Sequence, residues 1–385
     1  MPKLASYSFA LALLLAACSA AELSTPRGGG GAPTGTSTNP AEDEDPDAPA
    51  SGKDKKKTPS AGDDDDDDTG EAPPDPQPVT LRMTSAVTIQ VQPVDSGAAI
   101  LAAIKGAKKS VHMTMYLLTD TKVIAALGDA KDGGRDVKVV LNKSFPTNGG
   151  SNTAAFDALT ARGVDVVWSS ATYRYTHAKT ILIDGEKAIV MTMNLTPSSP
   201  KTNREYIATD VDPADVADLE KVFAADRAGE AVSLGSKLVL SPDGTNTNGA
   251  PRDFLRAFID SAQTSLDVEV QTLSDRSLVD GILAAHKAGK DVHVVIDGDV
   301  STTNAQLTVI SKLKQAGVPL KSLKTPDLHA KVIVVDGAKL FVGSQNFTAT
   351  ALDDNREVGI FTDAAAEAAK VKTQIASDFT KGVEL

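Results

Sequence analysis

Two α/β lobes built on one plan are what the sequence predicts for residues 86–385. Three observations predict them: an internal duplication, β-rich runs alternating with helix-like runs, and an Asp-Gly turn at the same place in each copy. The duplication is read from order. Val111–Met115 recurs as Leu266–Val270 and Val137–Leu141 as Val292–Ile296, both offset by 155. The later segments are offset by 152: His177 with His329, Asp184 with Asp336, Asn194 with Asn346, and Asn203-Arg204-Glu205 with Asn355-Arg356-Glu357. Lobes of 86–232 and 233–385 follow.

The elements repeat in both lobes. Ala98–Lys108 and Arg252–Ala262 carry apolar residues at helical spacing. Strands fit 110–118 and 265–273, helices 121–132 and 276–289, strands 136–142 and 291–297, and helices 152–162 and 303–316. Such alternation implies crossovers within a sheet and helices on both of its faces, an α-β-α lobe. The pattern then changes. Ala178–Ile183 and Ala330–Val335 each run into Asp-Gly and a second β-rich run, a tight-hairpin signal. A further strand, near 205–209 or 357–362, and a helix close each lobe.

The hairpins carry the chemistry. Side chains two apart on a strand share a face, so His177 projects with Lys179 and His329 with Lys331. A two-residue turn at Asp184-Gly185 sets Thr192 opposite His177, and a turn shifted by one residue sets Asn194 there. Either register puts Asn194 on the His177 face, and the same count brings Ser344 and Asn346 beside His329. A fixed ammonium and a neutral amide suit the oxygens of a phosphoryl group. An imidazole serves as nucleophile, acid or base near neutrality. Two such sets divide the work of phosphodiester cleavage, one His attacking phosphorus and the other protonating the leaving oxygen. Two Lys and two Asn already neutralise the phosphate, so the expectation is no metal and no cofactor.

The strings HAKTILID (177–184) and HAKVIVVD (329–336), with Asn194 and Gly343-Ser344-Gln345-Asn346 after them, resemble the twin motifs of the phospholipase D superfamily. The resemblance covers 86–385. It implies two lobes sharing one active site at a pseudo-two-fold interface, and a covalent phosphohistidine intermediate. It further implies His177 as nucleophile and His329 as acid/base, with Glu205 and Glu357 bonding the far imidazole nitrogens. Asp184 and Asp336 belong to the motif but sit at a turn, where a structural role competes with a catalytic one. The first copy departs from the pattern: Met191-Thr192 stands where the second has Gly343-Ser344. Loss of that glycine's smallness puts the first lobe's approach to its neighbours or to phosphate in question. His112, His286 and His293 read as structural. Trp168, Tyr173 and Tyr175 read equally as core or as substrate contacts.

The first 85 residues read differently. Lys3 followed by the apolar run Phe9–Leu15 resembles an export signal. Leu15-Ala16-Ala17-Cys18 resembles a bacterial lipobox, with Cys18, the only cysteine, as the lipidated residue. Residues 19–85 are poor in large apolar residues and read as a solvated tether with a reach on the order of 45 Å. The run Asp63–Asp68 belongs to that tether rather than to a calcium loop. Export and lipid anchoring at the bacterial cell envelope are the expected location. Of the net charge of −12, residues 1–85 hold 15 acidic and 7 basic residues, which leaves −4 for 86–385. That balance lacks the basic surplus of a strong nucleic-acid binder. The sequence has no Gly-x-Ser-x-Gly and no zinc-ligand cluster.

The expected activity is a phosphodiesterase acting on phospholipid headgroups, working as a monomer because both motifs lie in one chain. The alternatives are an endonuclease of the same superfamily, with nucleic acid as partner, a phosphatidyltransferase of the cardiolipin synthase kind, and a catalytically silent binding module.

Overall fold

The computed structural model describes residues 77–146, 150–235, 237–298 and 303–385. Cys18, the export signal and the aspartate run lie outside the described residues. Among the described residues no helix is long and apolar enough to cross a membrane.

The first lobe runs β1 (Val87–Gln92), α1 (Ala98–Gly106), β2 (Ser110–Met115), α2 (Thr121–Asp132), β3 (Asp136–Leu141), α3 (Thr153–Ala161), β4 (Asp165–Trp168), β5 (Lys179–Ile183), β6 (Lys187–Met191), α4 (Ser199–Thr202), β7 (Asn203–Asp210) and α5 (Pro213–Ala228). The second repeats the plan: β8 (Leu238–Ser241), α6 (Pro251–Asp260), β9 (Ser265–Val270), α7 (Arg276–Lys287), β10 (Asp291–Asp297), α8 (Asn304–Gln315), β11 (Leu320–Leu323), β12 (Asp327–Leu328), β13 (Lys331–Val335), β14 (Lys339–Gly343), β15 (Glu357–Thr362), α9 (Ala365–Lys381) and β16 (Val383–Glu384). The first sheet has the order β1-β7-β6-β5-β2-β3-β4, and the second β8-β15-β14-β13-β9-β10-β11-β16. The orders correspond strand for strand, with β16 added at the edge of the second. In each, three parallel strands carry the crossovers, and the hairpin joins them antiparallel.

Local chemistry sets the ends of these elements. Asp120 and Asp275, offset by 155, cap α2 and α7 by accepting from the Lys122 and Leu278 amides. The hairpin strands are apolar on both faces because both faces are covered. Ile181 and Ile183 face the helices of their own lobe, whereas Leu182 joins a central core built from both lobes. In the second lobe Ile333 and Val335 take the first role, and Val332 and Val334 the second. That shared core, with Leu219 and Phe223 of α5 and Val371 and Ile375 of α9, holds the two sheets together.

Residues 77–85, expected in the tether, are part of the fold. Val79, Leu81 and Met83 pack on the second-lobe core, and the Thr84 amide donates to the Phe361 carbonyl at 3.1 Å. The alternation Val-Thr-Leu-Arg-Met is a strand-like signal that the polar composition of the preceding segment drowned.

Candidate active site

The hairpin turn has three residues, not two. Ile183 pairs with Lys187 and Val335 with Lys339, so Asp-Gly is completed by Glu186 or Ala338. This register, continued, runs between the two expected ones, opposing His177 to Met193. It is not continued, however: the first ladder stops at Thr180–Val190. Asn194 is placed instead by its neighbour. The Leu195 amide donates to the Leu117 carbonyl, and the Thr119 and Asp120 amides donate to the Leu195 carbonyl. Phe347 makes the same contacts with Thr272, Ser274 and Asp275, which sets Asn346. Both asparagines are thus buried beside the carboxyl ends of the parallel strands, where open α/β sheets bind ligands. Among the described residues Asn194 Oδ1 has no hydrogen-bond partner.

The turn aspartates point away from the histidines. Asp184 accepts from the amides of Lys108, Lys109 and Ser110 at 2.6–3.0 Å. Asp336 accepts from those of Gln263, Thr264 and Ser265 at 2.7–3.0 Å. Both take left-handed φ, 59° and 53°. Burial acts to raise the pKa of Asp336, but its backbone donors outweigh this and hold it at about 2. The last residue of each motif therefore pins the hairpin to the strand beside it.

The two histidines are organised across the lobes. His177 Nδ1 meets Glu357 Oε1 at 2.8 Å, and His329 Nδ1 meets Glu205 Oε1 at 2.8 Å. Each imidazole is held by the carboxylate of the other lobe. All four side chains are buried, His329 being the most exposed at 4%. The backbone explains the exchange. The His177 and Ala178 amides donate to the Arg356 carbonyl at 2.9 Å, and the His329 amide donates to that of Arg204 at 3.2 Å. Asp327 and Leu328 of β12 pair with Asn203 and Arg204 of β7. The residues entering each motif thus run beside the Asn-Arg-Glu segment of the opposite lobe.

The whole of that segment is used. Asn355 Nδ2 and Ser344 Oγ donate to Glu357, and Thr192 Oγ1 donates to Glu205. Arg204 grips Asp378 of α9 through two nitrogens, and Arg356 Nε donates to Asp226 of α5 at 2.9 Å. Each arginine therefore reaches the closing helix of the opposite lobe. Burial pushes Asp226 up to about 6 against the pull of Arg356.

The lysines are buried as well. Lys179 Nζ donates to the His177 carbonyl at 2.7 Å and sits 4.7 Å from the centroid of the Tyr116 ring. Lys331 Nζ donates to the His329 carbonyl and to Gln271 Oε1, both at 3.0 Å. Burial pushes Glu357 up to about 8, opposed by Lys179, Ser344, Asn355 and Lys331. Each imidazole is held by a carboxylate of the other lobe, so the two sets form a single site.

Met191 does not distort the first lobe. It fills that lobe's own core, and the two His–Glu contacts match in length. A Cβ on Gly343 would meet Phe341, Gln345 and the Gly359 backbone at 2.2–2.9 Å. Its smallness answers packing in the second lobe. Met191 pairs with Ile207 where Gly343 pairs with Gly359, so bulk sits in the strands of one lobe and in Phe341 of the other.

Tyr116 and Gln271, equivalent residues at the ends of β2 and β9, were missed in the sequence. A polar or aromatic residue at the carboxyl end of a parallel strand was the available signal. His112 stacks on Phe223 and bonds Glu220, and His293 bonds Asp267. Trp168 stacks on Phe156, and Tyr173 accepts from Arg356. Tyr175 lies 6.1 Å from Tyr116.

The sequence matches the family described as "Cardiolipin synthase, PLD-like domain" twice, over residues 100–227 and 255–379. It is 38% identical over 106 residues to a mitochondrial cardiolipin hydrolase of Danio rerio, covering 27% of this chain and 45% of the relative. It is 30% identical over 105 residues to a phospholipase D of Rickettsia conorii, covering 27% and 52%. The chain spans about half the length of these relatives. The crystal structure of a phosphatidylserine synthase of Haemophilus influenzae superposes with a TM-score of 0.61 at 12% identity, covering 79% of this chain and 90% of the other, a likeness of fold. With the duplicated sheets and the exchanged His–Glu pairs, these matches make the chain a member of the phospholipase D superfamily.

Proposed function

We propose that the protein is a phosphodiesterase that cleaves phospholipid headgroups through a phosphohistidine. The observation that carries the reading is the pair of exchanged His–Glu contacts, each at 2.8 Å. A carboxylate on Nδ1 fixes the ring and directs reaction through Nε2. His177 Nε2 attacks phosphorus in line. The bond from phosphorus to the leaving oxygen breaks, and His329 gives that oxygen its Nε2 proton. His329 then takes a proton from water, the hydroxide attacks phosphorus, the P–N bond breaks and His177 is restored.

The acid step requires His329 as the imidazolium, with both ring nitrogens protonated and Nδ1 donating to Glu205. Lys179, Lys331, Asn194 and Asn346 are assigned to the non-bridging oxygens. Support for lipid comes from the relatives named cardiolipin hydrolase and phospholipase D, and from the near-neutral charge of residues 86–385. Lipidation of Cys18 would hold the domain at a membrane and raise its effective substrate concentration. Transfer to an alcohol is the second reading, favoured by the cardiolipin synthase description of the matched family.

The test is trapping by an alkaline detergent quench, which preserves a P–N bond, during turnover of phosphatidylcholine, phosphatidylglycerol and plasmid DNA, each with and without glycerol. Phosphoenzyme lost in His177→Ala, with headgroup released from lipid, supports the reading. Glyceryl product in place of free phosphatidic acid makes the protein a transferase. DNA nicking with lipid intact overturns the choice of substrate, and no phosphoenzyme with any substrate overturns the mechanism.

A further inference from the structure

The two-fold likeness of the reactive groups fails on one side. Tyr116 stands edge-on to His177, with ring centroids 4.5 Å apart and planes at 70°. Phe145 lies 5.1 Å from Tyr116 at 49°, and Tyr175 lies 6.1 Å from it at 72°. Tyr116 is buried, whereas Phe145 and Tyr175 are partly exposed. The rings come from three segments: the end of β2, the stretch after β3, and the approach to β5. In the second lobe Gln271 and Asp327 hold the places of Tyr116 and Tyr175. An aromatic wall therefore leads outward from His177, and the counterparts of Tyr116 and Tyr175 in the second lobe are polar.

We propose that Phe145 and Tyr175, backed by Tyr116, form the subsite for the arm of the diester that stays on phosphorus, and that this arm is aliphatic. The inference rests on the reading of the site given above, with His177 attacking. In-line displacement expels the oxygen opposite the nucleophile, so the leaving arm lies towards His329, Gln271 and Asp327. The arm beside His177 is the one retained. Rings set at 49° and 72° to Tyr116 make a cupped apolar wall that a flexible chain follows. A base would need an open parallel face.

The test uses p-nitrophenyl methyl, butyl and octyl phosphates, from which nitrophenol leaves and the alkyl arm is retained. The wild type is expected to show kcat/KM rising with chain length, by up to about fourfold for each methylene that becomes buried. In Phe145→Ser and Tyr175→Ser the octyl-to-methyl ratio falls towards one, whereas Phe145→Leu, which keeps an apolar surface, retains most of it. A wild-type ratio near one overturns the subsite, as does a ratio unmoved in both serine variants. Preference for thymidine 5′-(p-nitrophenyl phosphate) over the octyl ester, lost in the serine variants, overturns the aliphatic arm in favour of a base. Release of nitrophenol from none of the esters is the separate failure of the phosphodiesterase reading itself.

Discussion

Glu357→Gln tests the exchange of carboxylates across the lobes. In the native site Glu357 accepts from His177 Nδ1 and Ser344 Oγ at 2.5–3.0 Å and from Asn355 Nδ2 at 3.3 Å. Glutamine offers one oxygen and turns the other position into a donor. Three donors then compete for that oxygen, and each one left unmatched in this buried site costs about 1–3 kcal/mol. If the new amide faces His177, the ring takes the Nε2–H tautomer and its nucleophilic lone pair leaves the reacting face. The comparable loss of an orienting carboxylate in a serine protease lowers kcat about 10⁴-fold, and about 10³–10⁴ is expected here. The assay is rapid-quench release of nitrophenol from a p-nitrophenyl ester, which departs with little help from an acid. Glu357→Gln slows the burst itself. Glu205→Gln acts on His329, so the burst survives, water activation fails and phosphoenzyme accumulates. A slowed burst in Glu205→Gln with a normal one in Glu357→Gln would reverse the roles of the histidines. Identical behaviour of the two variants would refute the division of labour.

The His177–Glu357 pair also sets a pH dependence. Burial raises Glu357 to about 8, so below that pH its carboxyl carries a proton and can donate to His177 Nδ1, which leaves the neutral ring's own hydrogen on Nε2. The first step should rise with pH through about 8. In Glu357→Gln, which has no carboxyl to titrate, this limb should be lost, and an unmoved limb counts against the pairing. For Asp336, a folded pKa of about 2 lies below the ordinary 3.8. Its stabilisation is therefore complete above 3.8 and lost as pH falls through about 2. Asp336→Asn should lose about 1–3 kcal/mol at neutral pH by urea unfolding, converge on the wild type near pH 2, and keep its turnover per folded molecule. Arg356→Met strands Asp226 in the core and should cost about 3–5 kcal/mol by the same measurement, with Arg356→Met/Asp226→Leu recovering most of it. An equally unstable double variant would contradict that account.

The duplication, the hairpins and the His-x-Lys pairs were legible in the chain alone. Each is a local pattern, with a period of two on a strand or a repeat at a fixed offset. Helix α2 and strand β10 fall on the expected residues because capping and periodicity act within a few positions. The three-residue turn was not legible. It depends on Asp184 and Asp336 finding backbone donors about 75 residues away, and an Asp-Gly pair looks the same without them. Nor could the sequence say which glutamate serves which histidine. His177 and Glu357 are 180 residues apart, and pairing within a lobe satisfies the same motif as pairing between lobes. Packing chose the second, because the strand entering each motif bonds the Asn-Arg-Glu segment opposite. Sequence determined that two sets of His, Lys and Asn exist. The tertiary structure made them one site, since only the burial of both sheets on a common core brings each carboxylate to the other lobe's imidazole.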